Sequence, residues 1–274
     1  MGKMLLPDGV ERGGFARRYR AIFISDIHLG TRGCKAELLL DFLRNTDSQY
    51  LYLVGDIVDG WRLRRSWYWA QSHNDVAQKV LRKARKGTQV ILVPGNHDEF
   101  ARDYVGMQFG GIWVLDDAIH VTADGRRMLV IHGDAFDGVV TYARWLAVLG
   151  DHAYTFALWM NHQLNQIRLA FGLGYWSLSS FLKGKVKSAV SYVTDFEDAV
   201  ASEARRRGVD GVVCGHIHKA EIRTIDGILY CNDGDWVESR SALVEHDDGR
   251  LELVFWSATH EVADVPIPTL KETA

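Results

Sequence analysis

A chain of 274 residues that is 47% hydrophobic, with a formal charge of -3, can bury a substantial core and lacks the basic field of a general nucleic-acid binder. Its three cysteines, Cys34, Cys214 and Cys231, form no C-x-x-C pair, which argues against a disulfide framework or zinc knuckle and for a reducing cytoplasm. No stretch reaches the roughly 20 apolar residues of a membrane span, and the first twenty residues hold no signal-peptide core.

Residues 1–20 read as an N-terminal extension, and 21–274 as one α/β domain. "AIFISDIHLG" (21–30) is the first of five apolar runs that end in a polar, glycine-containing turn. A helix follows at Glu37 to Arg44, then "YLYLVGDIVDGW" (50–61) and a helix from Asp75 to Lys86 with Val76, Val80, Leu81 and Ala84 on one side. "VILVPGNHDE" (90–99), "RMLVIHGD" (127–134) and "VDGVVCGHIH" (209–218) complete the set. Continuous Val, Ile and Leu without alternation predicts strands covered on both faces by other layers. Between about 140 and 197 the strand pattern gives way to apolar residues at helical spacing, from Trp145 to Phe171, which predicts a helical insertion. The C-terminal runs "EIRTIDGILYCN" and "SALVEHDDGRLELVFW" predict antiparallel hairpins and a second sheet packed on the first.

The polar clusters share one place, the C-terminal end of a core strand, where open α/β sheets bind ligands. Asp26, His28, Asp56, Asn96, His97, His132, His216 and His218 gather there. Asp26 and His28 are two apart, as are His216 and His218, so each pair is expected to project to one side. Imidazole, carboxylate and amide ligands without thiolate suit a hydrolytic site for Mn²⁺, Fe or Zn²⁺. Seven such ligands exceed the needs of one ion, and two metals sharing a bridging carboxylate suit in-line displacement at phosphorus. Each cluster alone could be a turn chosen for its backbone conformation; five in order, each behind an apolar strand, are not explained that way.

The ordered series D-x-H, G-D-x-x-D, G-N-H-D, H-G-D and G-H-x-H resembles the calcineurin-like metallophosphoesterase superfamily from about residue 20 to 240. That resemblance implies a sandwich of two mixed sheets flanked by helices, with a helical insertion acting as a lid. It also implies one metal on Asp26, His28, Asp56 and His218, and a second on Asp56, Asn96, His132 and His216. By the same resemblance, a water activated at the metals attacks phosphorus, and His97 is the general acid or transition-state stabiliser, steadied by Asp98.

Trp61 in "GDIVDGW", the insertion after "HGD", and "YCNDGDWVES" resemble the bacterial UDP-2,3-diacylglucosamine diphosphatases of lipid A synthesis. This implies cleavage of a lipid-linked UDP-sugar pyrophosphate, usually with Mn²⁺. One position departs from that group, since His97 stands where its well-known members carry arginine. The insertion, with Arg168, Lys183, Lys185 and Lys187, could line an acyl-chain channel or rest peripherally on the inner face of the cytoplasmic membrane. It could equally bury its own apolar face on the core. Arg62, Arg64 and Arg65 meet phosphate or uracil, or form a solvated helix face. Two other functions stay open: a phosphoesterase for another nucleotide or lipid, and a non-catalytic scaffold of the same fold.

Overall fold

The computed structural model describes the backbone of residues 17–136 and 179–257, and the side chains of 17–136 and 193–257. The first sheet is built from β1 (Arg17–Ile24), β2 (Thr46–Val54), β3 (Gln89–Val93), β4 (Gln108–Phe109) and β5 (Ile112–Val114), with β11 (Ser241–Glu245) and β12 (Leu251–Phe255). Its order is β12-β11-β1-β2-β3-β5-β4, parallel from β1 through β2 and β3 to β5. The second contains β6 (Ala118–Val121), β7 (Arg127–Val130), β8 (Gly211–Cys214), β9 (Glu221–Ile225) and β10 (Ile228–Asn232), ordered β6-β7-β8-β10-β9.

The apolar runs are continuous because both faces of each sheet are covered. Ala21 and Phe23 of β1 face the second sheet and pack with Val54, Met128, Val130 and Val213. Ile22 and Ile24, one residue out of phase, face outward onto helix α1 (Ala36–Asn45) and helix α3 (Gln71–Arg85) through Leu39, Phe42, Val76 and Val80. Helix α4 (Ser179–Arg206) covers the far side of the second sheet with Phe196, Val200 and Ala204 on Val212 and Tyr230. The result is a four-layer sandwich, helix on sheet on sheet on helix.

Several expected boundaries shift. The first strand starts at Arg17, so the last four residues of the expected extension belong to the sheet. The insertion lies mainly outside the described residues, and its expected end at 197 falls inside α4. The C-terminal strands do not stay together: β9 and β10 join the second sheet, whereas β11 extends the first antiparallel to β1 and β12 follows antiparallel to β11. Leu81, expected on the apolar face of α3, is 43% exposed. Opposite it, β4 and β5 are joined by Gly110 and Gly111, both with positive φ, which is the requirement of a two-residue hairpin turn. A Cβ on Gly110 would sit 2.7 Å from Leu81, so this turn packs directly on α3.

Candidate dinuclear metal centre

The eight expected site residues come together at the C-terminal ends of β1, β2, β3, β7 and β8. Short backbone hydrogen bonds lock the first two loops to each other, Asp26 N to Gly55 O at 3.0 Å and His28 N to Asp56 O at 2.9 Å. Asp26, His28, Asp56, His216 and His218 all have left-handed backbone, with φ between 49° and 70°. The i, i+2 pairs are therefore seated by left-handed loop residues past the strand ends and not by the pleat, a conformation that costs order 1–3 kcal/mol each and clusters at functional sites. Gly55 precedes Asp56 with φ +79°, and a Cβ there would lie 2.3 Å from the His132 ring. Gly95 is equally constrained, since its Cβ would meet Asp56 Oδ1 at 2.3 Å.

Three groups among the described residues could hold a metal ion, the atoms of each within 4.8 Å of one another: Asp26, His28 and His218; Asp56, His132 and His216; and His28, Asp59 and His97. The first two contain three of the four members of each expected ligand set. Asp56 stands between them, its Oδ2 3.5 Å from His132 Nε2 and 3.9 Å from His28 Nε2. His132 donates from Nδ1 to the Val54 carbonyl at 2.8 Å, which leaves the Nε2 lone pair facing the cluster. His28 Nε2, His132 Nε2 and Asn96 Oδ1 are buried with no hydrogen-bond partner among the described residues. Buried polar atoms are normally paired, so three orphaned lone pairs converging beside buried carboxylates fit divalent cations.

The electrostatics agree. Burial opposes charge on His132, but the Asp56 carboxylate, and then that of Asp26, outweighs it and pushes the imidazole up to about 10. Burial likewise opposes charge on His218, and Asp26, 3.0 Å away, raises it. Burial raises Asp56, yet its pairing with His132 carries it below the usual carboxylate range. His28 is lowered, by burial first, which favours the neutral form that could coordinate a cation. The cluster demands positive charge, and protons supply it where cations do not.

His97 and Asp98 separate in role. Asp98 accepts from the backbone N–H groups of Gly95 at 2.6 Å and Ile57 at 2.8 Å, so it ties the third loop to the second. The expected contact of Asp98 with His97 is replaced by one from Asp59, whose Oδ1 lies 3.2 Å from His97 Nδ1. Asp59 also caps helix α2 (Gly60–Arg65) by accepting from Arg62 N at 2.8 Å. It was missed as a site residue, although it is the second aspartate of the G-D-x-x-D signal. His97 Nε2 points inward, 3.9 Å from Asp56 Oδ2, and the Trp61 ring lies over the imidazole with centroids 4.4 Å apart. Arg62 and Arg65 are exposed on α2. Arg168 lies outside the described residues, and Lys183 falls where α4 is described by its backbone alone.

Residues 19–220 match the calcineurin-like phosphoesterase family, and the chain belongs to that family. It is a phosphoester or pyrophosphate hydrolase of a class that employs divalent metal ions. Over 241 residues it is 32% identical to the UDP-2,3-diacylglucosamine hydrolase of Xanthomonas campestris pv. campestris, covering 83% of this chain and 96% of that protein. A protein of the same name from Stenotrophomonas maltophilia is 29% identical over 236 residues, covering 81% and 93%. Among solved structures, a phosphoesterase from E. coli is 14% identical with a TM-score of 0.39, covering 86% of this chain and 99% of the other.

Proposed function

We propose that this chain hydrolyses the pyrophosphate of UDP-2,3-diacylglucosamine to UMP and 2,3-diacylglucosamine 1-phosphate, a step of lipid A synthesis, at a dinuclear centre bridged by Asp56. The observation that carries the reading is the similarity to the Xanthomonas hydrolase along nearly its whole length, supported by the candidate metal-holding groups at the strand ends. Asp26, His28, Asp56 and His218 would hold one ion and Asp56, Asn96, His132 and His216 the other. Two such ions supply Lewis-acid charge stabilisation and an activated water at neutral pH.

The protein's own groups divide the remaining work. Asp59 Oδ1 stands 3.2 Å from His97 Nδ1, and its negative charge there would favour the ring orientation that turns Nε2 toward the reacting centre. His97 then gives its Nε2 proton to the oxygen leaving phosphorus. Trp61 covers one face of the imidazole and limits its rotation. Arg62 and Arg65, on the exposed face of the helix that Asp59 caps, reach outward for phosphate or uracil. Mn²⁺ is the proposed ion, with Fe and Zn²⁺ accepted by the same donors. The substrate's acyl chains would bring the protein to the cytoplasmic face of a membrane as a peripheral visitor; no helix of the described residues is long and apolar enough to cross one.

His97 favours one alternative, a phosphodiester or other phosphate ester as substrate, because a proton donor replaces the fixed cation of arginine at the leaving group. Release of UMP from UDP-2,3-diacylglucosamine, with Mn²⁺ and with chelator, decides between them. Metal-dependent UMP release supports the first reading. Its absence, with chelator-sensitive cleavage of an aryl phosphodiester, supports the second. No metal-dependent hydrolysis of either would leave the scaffold.

A further inference from the structure

Behind the metal loops lies a cavity of about 400 Å³ between α3 and the first sheet, lined by Leu29, Ile57, Ala77, Val80, Leu92 and Phe100 among others. Asp98 is the one charged residue in its wall, and that carboxylate is already occupied by the backbone N–H groups of Gly95 and Ile57. The lining therefore offers hydrocarbon and almost nothing for water to bond. Protein interiors are close-packed, and an apolar void of about 150 Å³ already holds a benzene ring. A largely apolar pocket of this size, open to solvent on one side, has the dimensions of a small-molecule binding site.

The cavity opens to solvent between Leu81, Phe100 and Phe109, which are 43%, 42% and 50% exposed. At this mouth a second groove begins, sharing Leu81 and Gly110 with the cavity and lined by Arg82 and Arg85 of α3. Neither arginine has an ion-pair partner among the described residues, and both border the groove that adjoins the cavity mouth. An apolar chamber that leads directly to unpaired guanidinium groups is complementary to one chemistry, an alkyl chain ending in an anion.

We propose that this cavity is a second binding site, separate from the metal centre, for a single-chain amphiphile with an acidic headgroup, the chain inside and the head on Arg82 and Arg85. The site does not depend on which phosphate ester is hydrolysed. Its position gives it a route to the catalytic loops. Ile27, between Asp26 and His28, forms part of its wall, as do Ile57 beside Asp56 and Phe100 just after the His97-Asp98 pair. Filling the chamber would stiffen the backs of the loops whose fronts carry the ligands.

The test is calorimetric titration of the full-length, Mn²⁺-loaded protein with dodecanoate below its micellar concentration, compared with dodecyltrimethylammonium. One saturable site that prefers the anion is expected. Ala77→Phe, which fills the chamber from α3, should weaken dodecanoate at least about tenfold, a difference of 1.4 kcal/mol. Arg82→Glu with Arg85→Glu should abolish the preference for the anion. The melting temperature of each Mn²⁺-loaded variant reports that the fold is intact; should Ala77→Phe fail it, Leu81→Gln at the mouth takes its place. Unsaturable binding, equal affinity for the cationic amphiphile, or undiminished affinity in the cavity variant would overturn the proposal. So would displacement of dodecanoate by inorganic phosphate, which would put the head on the metals.

Discussion

Asp59 Oδ1 lies 3.2 Å from Nδ1 of His97, and the other oxygen of the same carboxylate stands 3.4 Å from Nδ1 of His28. One carboxylate thus stands beside Nδ1 of both the proposed proton donor and an expected metal ligand. Asp59→Asn should lower turnover by about 10–100-fold, the usual cost of removing an orienting partner, and should weaken metal retention at the same time. Steady-state kinetics with metal analysis of the purified variant checks both. Unchanged turnover would remove Asp59 from the site.

His97→Ala should keep its metals and lose roughly 10²–10⁴-fold in turnover, as expected for a general acid. Asp98→Ala should differ in kind. Its loss strands buried backbone donors that now share one carboxylate, at about 1–3 kcal/mol for each donor left unpaired. Denaturant unfolding should show that loss, and a stable but inactive Asp98→Ala would contradict the division of labour.

Asp56→Ala removes the carboxylate between the two ligand groups. Activity and at least one metal should be lost together, as read by metal content after gel filtration. Retention of two ions would exclude Asp56 as the bridge.

In metal-free protein the His132 imidazole is raised from 6.5 to about 10 by the Asp56 and Asp26 carboxylates against the opposing effect of burial. A raised basic group stabilises the fold fully below its unfolded value near 6.5, and that contribution fades as pH rises toward 10. The metal-free protein should therefore lose stability across that interval, with melting temperature the measurement. Metal must displace the same proton, so metal affinity should rise with pH over the same range and binding should release protons into solution. Proton release near zero at pH 7 would show that the imidazole is already neutral.

Trp61→Ala should cost up to about tenfold in kcat with metals retained, since an aromatic pair contributes about 0.5–1.5 kcal/mol. Trp61→Phe should recover most of it. A change confined to KM would instead assign Trp61 to substrate contact.

The clustering of the expected ligands was legible because chemistry and topology coincide: each polar turn in the sequence sits behind an apolar run, and each run is a strand sandwiched between layers. What lay between was less visible. Strands β4, β5 and β6 have two, three and four residues, too short for any periodicity to register. The partner of His97 was misread because adjacency along the chain favoured Asp98, whereas the loop turns Asp98 inward to the backbone and brings Asp59 from another strand end. Leu81 has the spacing of a core residue, and only the sheet edge opposite reveals that it stands at the mouth of a cavity.

Seven non-glycine residues in the described structure have left-handed backbone, and five of them are expected ligands. Their strain is concentrated in three loops, while the strands beneath are held by full ladders. Cation binding would thus act as a clasp on the rim of a sandwich that is otherwise complete. Withdrawing the ions should let the rim open and become cleavable by protease near Asp26, Asp56 and His216 while the sheets remain folded, so that the pattern of nicking alone would report how many ions the protein holds.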